Sequence, residues 1–367
     1  MTDSVLKVAI IGCGRVSGHH CRSILQTAGA ELVGVCDLVA EKAALYRDQF
    51  GARAYGDYHR MLSENPQINA VAIITPSGMH FEHAMDIIAR YHKHLIVEKP
   101  TFMKPSQVTE AYGQAAAAGV QIFPVFQNRN NMAVQRVLRG VTQGELGRVR
   151  TAAVRVRWCR PQRYYDLAPW RGTFSMDGGC LTNQGIHHID LLRNLGGEVS
   201  RVCGIHRTLG ARIEVEDTAT ASFVFESGAI GTLEITTAAR PIDYEASLSL
   251  VCENGLAQLG GIAVNELQIY TPDPGACAPS SEDFSGNVYG YGHVKVYEEL
   301  VAFFRQGCPY PVTYEDTLAT IRLLNSFYIA DEIGEWVDVA TAGDSARLGR
   351  ADEQLANLYR TPAPVHD

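Results

Sequence analysis

Five stretches of this sequence combine residue types that do redox and acid–base work. The first is Gly12-Cys13-Gly14-Arg15-Val16-Ser17-Gly18, which follows the apolar run Val8–Ile11 and leads into a helical pattern from near His19. Gly12 permits a tight turn, and Gly14 lets the backbone approach a pyrophosphate. The helix start supplies free N–H groups and a positive dipole end. Gly12, Gly14, Arg15 and Val16 are therefore expected at a dinucleotide. Ser17 stands where a third glycine or alanine is usual and is small enough for close helix–strand packing. Some way on, Val33-Gly34-Val35-Cys36 runs into Asp37. A carboxylate there accepts both ribose hydroxyls and repels a 2′-phosphate, and no arginine follows it, which favours NAD over NADP. The bland alternative is a structural turn with an exposed Asp.

Two more clusters fall at strand ends, where ligands of open α/β sheets bind. Thr75-Pro76-Ser77-Gly78-Met79-His80 is expected to edge the cofactor crevice through Thr75, Pro76 and His80. A lone histidine there also reads as a capping or surface residue. Glu98-Lys99-Pro100 places Glu98 and Lys99 beside the cofactor and Lys99 near a substrate hydroxyl. Burial and cationic neighbours lower a lysine from about 10.4 toward the working range. The alternative is a solvated strand-end lysine.

The fourth cluster runs from Asp177 to Asp190. Asn183, His187 and Asp190 recur at i, i+4 and i+7 and are expected on one helical face. Asn183 is expected to orient the imidazole of His187, which accepts a proton near neutral pH. His188 and Asp190 read as helix-surface or inter-element contacts. A metal reading is poor, because adjacent histidines diverge on a helix and no third ligand is evident. The fifth cluster is Arg160-Pro161-Gln162-Arg163-Tyr164-Tyr165-Asp166 with Trp170-Arg171-Gly172. Arginines beside aromatics suit a phosphate or carboxylate plus a sugar face, or else an ion-pair cluster in a loop or between subunits. Asn287–His293 reads as a glycine-hinged aromatic flap or a plain loop.

The elements that must position these residues are visible in the hydrophobic pattern. Apolar runs at Val8–Ile11, Glu31–Cys36, Ala70–Ile74, Leu95–Val97 and Gln121–Val125 alternate with helical patterns such as His83–Tyr91 and Gln107–Ala118. That predicts βαβ units, a parallel sheet and a doubly wound Rossmann domain over 1–124. After a helix near Met132–Arg139, Val149–Trp158, Thr218–Phe225, Ile230–Thr237 and Ser247–Cys252 alternate polar and apolar residues. This predicts an α+β domain over 125–367 on an open, mainly antiparallel sheet. Thr271–Gly292 reads as a long loop, Val294–Phe304 and Glu315–Ile333 as helices, and the polar end from Thr341 as a loosely packed tail.

The 367 residues include 46% hydrophobic and 20% charged residues, an ordinary globular balance. A net charge of −8 gives no reason to expect nucleic acid or an anionic membrane as partner. Nine scattered cysteines without a C-x-x-C pair fit a reducing cytosol and exclude the usual zinc ribbons. No run approaches a membrane span or a signal-peptide core, so a cytoplasmic enzyme is expected.

Together these residues resemble the Gfo/Idh/MocA oxidoreductase family over essentially the whole chain, on the Gly12–Ser17 fingerprint, Glu98-Lys99-Pro100 and the helix carrying Gly185 and His187. Within it the chain is most similar to the WlbA-type dehydrogenases, which oxidise the sugar 3-hydroxyl of UDP-N-acetylglucosaminuronic acid with NAD. Gln127-Asn128-Arg129, Arg160-Pro161-Gln162, Tyr164-Tyr165-Asp166, Trp170-Arg171-Gly172-Thr173, Asn183-Gln184, Val215-Glu216-Asp217-Thr218 and Tyr289-Gly290-Tyr291-Gly292-His293 carry that likeness. The resemblance implies that Lys99 contacts the reacting hydroxyl and His187 is the acid/base. It places Gln127, Trp170 and Arg171 near the cofactor. It implies that Asn128, Arg160, Tyr164, Tyr165 and Asn183 line the substrate site, with Arg160 and a tyrosine on the sugar carboxylate or diphosphate. Asn183 stands where many members have Asp. The resemblance also implies a homotetramer packed through the open sheet, 2-oxoglutarate as recycling oxidant, and a place in surface polysaccharide synthesis. The alternatives are UDP-N-acetylglucosamine for lipid A assembly, another sugar or cyclitol, or a non-catalytic NAD- or sugar-binding regulator.

Overall fold

In the computed structural model, which describes residues 5–284 and 289–362, two sheets stand side by side. The first half runs β1 (Leu6–Ile11), α1 (Ser17–Gln26), β2 (Ala30–Cys36), α2 (Ala40–Phe50), β3 (Arg53–Tyr55), α3 (Tyr58–Glu64), β4 (Ala70–Ile73), α4 (His80–Tyr91), β5 (His94–Val97), α5 (Pro105–Ala117) and β6 (Ile122–Pro124). All its strand pairs are parallel, in the order β3-β2-β1-β4-β5-β6. Every residue of β4 is buried, as a strand covered by helices on both faces requires. The order reverses between β1 and β4, so the crevice for a dinucleotide opens beyond their carboxyl ends.

The second half runs α6 (Met132–Thr142), β7 (Val149–Arg157), α7 (Gln162–Tyr165), α8 (Ile186–Gly196), β8 (Val199–Arg207), β9 (Thr218–Phe225), β10 (Ile230–Thr236), β11 (Glu245–Cys252), β12 (Leu256–Gly260), β13 (Glu266–Tyr270), α9 (Gly292–Gln306), α10 (Tyr314–Ile333), β14 (Val337–Asp338) and α11 (Glu353–Asn357). Its eight strands lie in the order β13-β12-β11-β7-β10-β9-β8-β14. Only β7 and β10 are parallel to each other. In β9, Ala219, Ala221, Phe223 and Phe225 turn inward while Thr220 and Ser222 face out. Helices α8 and α10 cover the inner face, and α10 also packs on α5. One apolar core therefore runs from Phe102 and Phe126 to Leu181 and Ile189, fixing the two halves against each other.

The predicted strands and helices recur with shifted ends. Strands β3, β8 and β12 to β14 have no counterpart in the predicted set. The tail is not loosely packed: Ser345 and Leu348 are buried, and Arg360 grips Glu82 at 2.6 and 2.8 Å. Among the described residues of the Thr271–Gly292 stretch, two short 3₁₀ turns form, Pro274–Ala276 and Ala278–Ser280, before α9 begins at Gly292. Asn287 and Val288 of the expected flap lie outside the described residues. Among the described residues no helix is long and apolar enough to cross a membrane.

Candidate active site

The turn after β1 is built to face an anion. Gly12 holds φ +94°, and a Cβ there would lie 2.5 Å from the Ile74 carbonyl oxygen. Ser17 Oγ donates to Gly12 O at 2.6 Å and accepts from Gly14 N at 3.1 Å, so the small third residue closes the turn. At Gly14 a Cβ would meet nothing within 4 Å, which leaves the backbone open to a ligand. Helix α1 starts at Ser17, just past Val16, with no side-chain cap and no acidic residue in its first turn. Asp37 Oδ2 accepts from Cys13 N and Oδ1 from Val39 N, both at 2.8 Å. A carboxylate has about four lone-pair positions, so ribose hydroxyls still find acceptors there. These residues fit a dinucleotide.

Two expected cofactor contacts are placed otherwise. His80 is buried, with Nδ1 at 2.9 Å from Pro100 O and Nε2 at 3.0 Å from Thr75 O. It ties two strand-end loops together and has no ring nitrogen left for a ligand. Glu98 is also buried: Oε2 accepts from Lys99 N at 3.0 Å, and Oε1 lies 2.9 Å from His20 Nε2 and 3.4 Å from His293 Nε2. Thr75 and Pro76 stay half-buried at the crevice edge, with Thr75 Oγ1 on His83 Nδ1 at 3.1 Å.

Lys99 reaches across from β5 to the second half. Its Nζ donates to Asn183 O at 2.7 Å and Oδ1 at 3.3 Å. An ammonium has three donors, so one remains for a substrate oxygen. Burial lowers the lysine pKa, with Arg171 and Arg160 adding to the shift and Glu98 and Asp177 opposing it. Asn183 does not touch His187, contrary to expectation. Its amide also donates to Asp177 Oδ1, and Asp177 Oδ2 accepts from Gly172 N at 2.7 Å. The reason is local: Cys180–Gln184 is a π-helical turn, so the 3.6-residue phase that put Asn183 and His187 on one face is lost. His187 lies at the start of α8, 7% exposed, with Nδ1 unpartnered. Burial first, then the charge of Lys99, holds its pKa well below 6.5. The ring is neutral at physiological pH and able to accept a proton. His188 is buried, edge-on to Trp158. Asp190 joins Arg129 at 2.6 and 2.7 Å, an inter-element contact that binds α8 to the Gln127–Asn130 turn.

The arginine and aromatic cluster walls a cavity of 450 Å³ lined by Arg15, Cys159, Arg160, Pro161, Arg163, Tyr164, Leu167 and Asp243. Arg160 NH1 is held by Asp243 at 2.8 and 3.1 Å, and its guanidinium lies over Trp158 and Tyr164. Arg15 and Arg163 are exposed with no ion pair or hydrogen bond among the described residues. Arg171 donates to Tyr164 OH at 2.6 Å and stacks between Tyr164 and Trp170. Tyr165 is a correction: it is buried, and its hydroxyl meets Thr237 Oγ1 at 3.0 Å, so it is wall rather than ligand. Gln127 and Asn128 are buried, and Gln127 Oε1 has no partner. Asp177, Asp243 and His20 escaped sequence reasoning. Asp243 and His20 act through partners some eighty positions away, which spacing does not reveal; Asp177 bonds Gly172 and Asn183 nearby, through the turn at Gly178 and Gly179 and the π-helical turn, which an α-helical spacing does not anticipate.

Two family models match: the NAD-binding Rossmann fold oxidoreductase family over residues 6–126, and the GFO/IDH/MocA C-terminal domain over 134–258. The WlbA dehydrogenase of Bordetella pertussis, solved with NADH and UDP-GlcNAcA, is 33% identical, covers 92% of this chain and 99% of that one, and superimposes with a TM-score of 0.86. The chain belongs to the Gfo/Idh/MocA family. Its Rossmann half is an NAD-binding domain. Among curated relatives, the D-glucoside 3-dehydrogenase of Escherichia coli is 27% identical over 65% of this chain and 72% of that protein. The myo-inositol 2-dehydrogenase of Thermotoga maritima is 24% identical over 62% and 68%.

Proposed function

We propose that this chain is an NAD-dependent dehydrogenase that oxidises the sugar 3-hydroxyl of UDP-N-acetylglucosaminuronic acid to the 3-keto sugar nucleotide. The observation that carries the reading is the 450 Å³ cavity in which Arg15 and Arg163 approach without counter-ions. An uncharged monosaccharide gives two such cations nothing to bind, whereas a diphosphate does. The likeness to a WlbA enzyme holding UDP-GlcNAcA supports the same substrate.

NAD, when bound, supplies the hydride acceptor. Gly12, Gly14, Val16 and the start of α1 hold its pyrophosphate, Asp37 its adenosine ribose, and Thr75, Pro76, Gln127, Trp170 and Arg171 edge its other half. His187, neutral through burial, takes the proton of the sugar hydroxyl. Lys99 offers its remaining N–H to the same oxygen and stabilises the charge that develops there. Asn183 and Asp177 keep the ammonium on that line. Asn128 and Tyr164 orient the sugar and Arg163 takes the diphosphate; Arg15, expected at the dinucleotide, faces the same cavity and is assigned here to the diphosphate as well.

A place in cytoplasmic surface polysaccharide synthesis, a homotetramer and recycling of NADH by 2-oxoglutarate belong to the same reading. The outer sheet face supports the tetramer, with Ile205, Ile230 and Val251 respectively 56%, 60% and 41% exposed. One observation favours a second substrate, UDP-N-acetylglucosamine: Asp243 already neutralises Arg160, the residue expected on the sugar carboxylate. NADH formation at 340 nm with both nucleotides, and with myo-inositol as a third, separates the readings. Preference for the uronate supports the first, preference for the uncharged hexosamine the second, and preference for inositol overturns both.

A further inference from the structure

Beside the proposed site lies a buried group that the chemistry above does not use. His20 from α1, Glu98 at the end of β5 and His293 in the first turn of α9 are 0%, 4% and 2% exposed. Their ligand atoms fall within 4.8 Å of one another, the spacing of a metal site, yet hydrogen bonds already account for the arrangement. Tyr297 OH meets His20 Nδ1 at 2.8 Å, which leaves His20 Nε2–H to donate to Glu98 Oε1. His293 Nδ1 has no partner, so its Nε2–H toward Glu98 is the ring's polar contact. The other carboxylate oxygen accepts from the backbone of Lys99.

Glu98 is a fixed negative charge one residue from the lysine and close enough to act on it electrostatically. Two buried opposite charges on neighbouring residues attract each other. What keeps them from closing on each other is occupancy: two imidazoles fill Oε1, and Asn183 holds Nζ. We propose that His293 is a positioning residue for Lys99, which by occupying Glu98 Oε1 keeps the ammonium on Asn183 and aimed at the substrate hydroxyl.

The position of His293 gives this contact a second consequence. It follows Tyr289-Gly290-Tyr291-Gly292, the return of the long 271–292 loop. Tyr289 packs on His19 with ring centroids 4.6 Å apart, and a Cβ on Gly292 would sit 2.2 Å from Gln127 O. The placement of Lys99 therefore depends on the seating of this segment against the dinucleotide helix.

The inference rests on Lys99 as the group that meets the hydroxyl, and its test separates the two claims. Crystal structures of His293→Ala and His293→Gln in the NADH-bound enzyme are compared with the parent. Alongside go kcat and KM with UDP-N-acetylglucosaminuronate and NADH affinity by fluorescence. In His293→Ala, Nζ should leave Asn183 O and pair with Glu98 Oε1, and kcat should fall about tenfold or more, with KM and NADH affinity within about twofold. The amide of His293→Gln restores a donor to Oε1 and should recover most of kcat. If Nζ stays on Asn183 in His293→Ala, or if His293→Gln is no better than His293→Ala, His293 does not position the lysine. Full turnover in Lys99→Ala would instead remove the role of Lys99, and the crystallographic answer on His293 would stand regardless of substrate.

Discussion

Glu216 is a buried carboxyl that links the stability of the site to pH. Its carboxyl lies wholly inside, under the π-turn that carries Asn183. Oε1 accepts from Leu181 N at 3.1 Å and Tyr328 OH at 2.8 Å, Oε2 has no partner, and a Cβ on Gly179 would run into the carboxyl group. Burial pushes its pKa from 4.5 up to about 8. Below pH 4.5 both the folded and the unfolded chain are protonated there, and the group carries no penalty. As pH rises toward 8 the unfolded chain ionises and the folded one does not, so stability falls by about 1.4 kcal/mol per pH unit. The loss amounts to roughly 3 kcal/mol at pH 7 and levels off near roughly 5 kcal/mol above pH 8. Glu216→Gln has nearly the same shape and cannot ionise in either state. Its stability relative to the parent should therefore rise by about 3 kcal/mol between pH 4.5 and 7, read from urea unfolding midpoints at several pH values. A difference between variant and parent that stays constant over that range would refute the reasoning: Glu216 would then be no more neutral folded than unfolded.

Four further outcomes follow from the site. Lys99→Ala and His187→Asn should each lower kcat about 10²- to 10⁴-fold while NADH still binds, and near-normal turnover in either would remove it from the chemistry. The pH profile of kcat/KM should keep an acid limb well below 6.5, where His187 takes up its proton, and a basic limb below 10.5, where Lys99 loses one; His187→Asn should abolish the acid limb. Asp37→Ser should weaken NAD and admit NADP, and Arg163→Ala should raise KM for UDP-sugars in a salt-dependent way without touching myo-inositol; unchanged constants would refute either assignment.

The parts of this molecule that were legible in sequence are those in which a chemical group and its support lie together in the chain. The fingerprint loop is one such case: Gly12, Gly14 and Ser17 close their own turn, and the apolar run before them has nowhere to go but a buried strand. Lys99 was legible by its place just past the buried apolar run Leu95–Val97, although its partner Asn183 lies far away in the chain. Strands β13 and β14 at the sheet edges and β12 beside them are short and mix polar with apolar residues, so their pattern does not stand out. Asn183 shows how a correct residue acquires the wrong partner: an α-helical phase assumed across a π-turn rotates its amide away from His187 and onto Lys99. Arg160 shows how a correct residue type can acquire the wrong charge state of its surroundings, because Asp243, eighty-three positions away, neutralises it. Free charge therefore moves to Arg15 and Arg163, which come from the two halves and face one cavity. On the proposed reading, recognition of an anionic substrate turns less on any single arginine than on which arginines the fold leaves without a carboxylate.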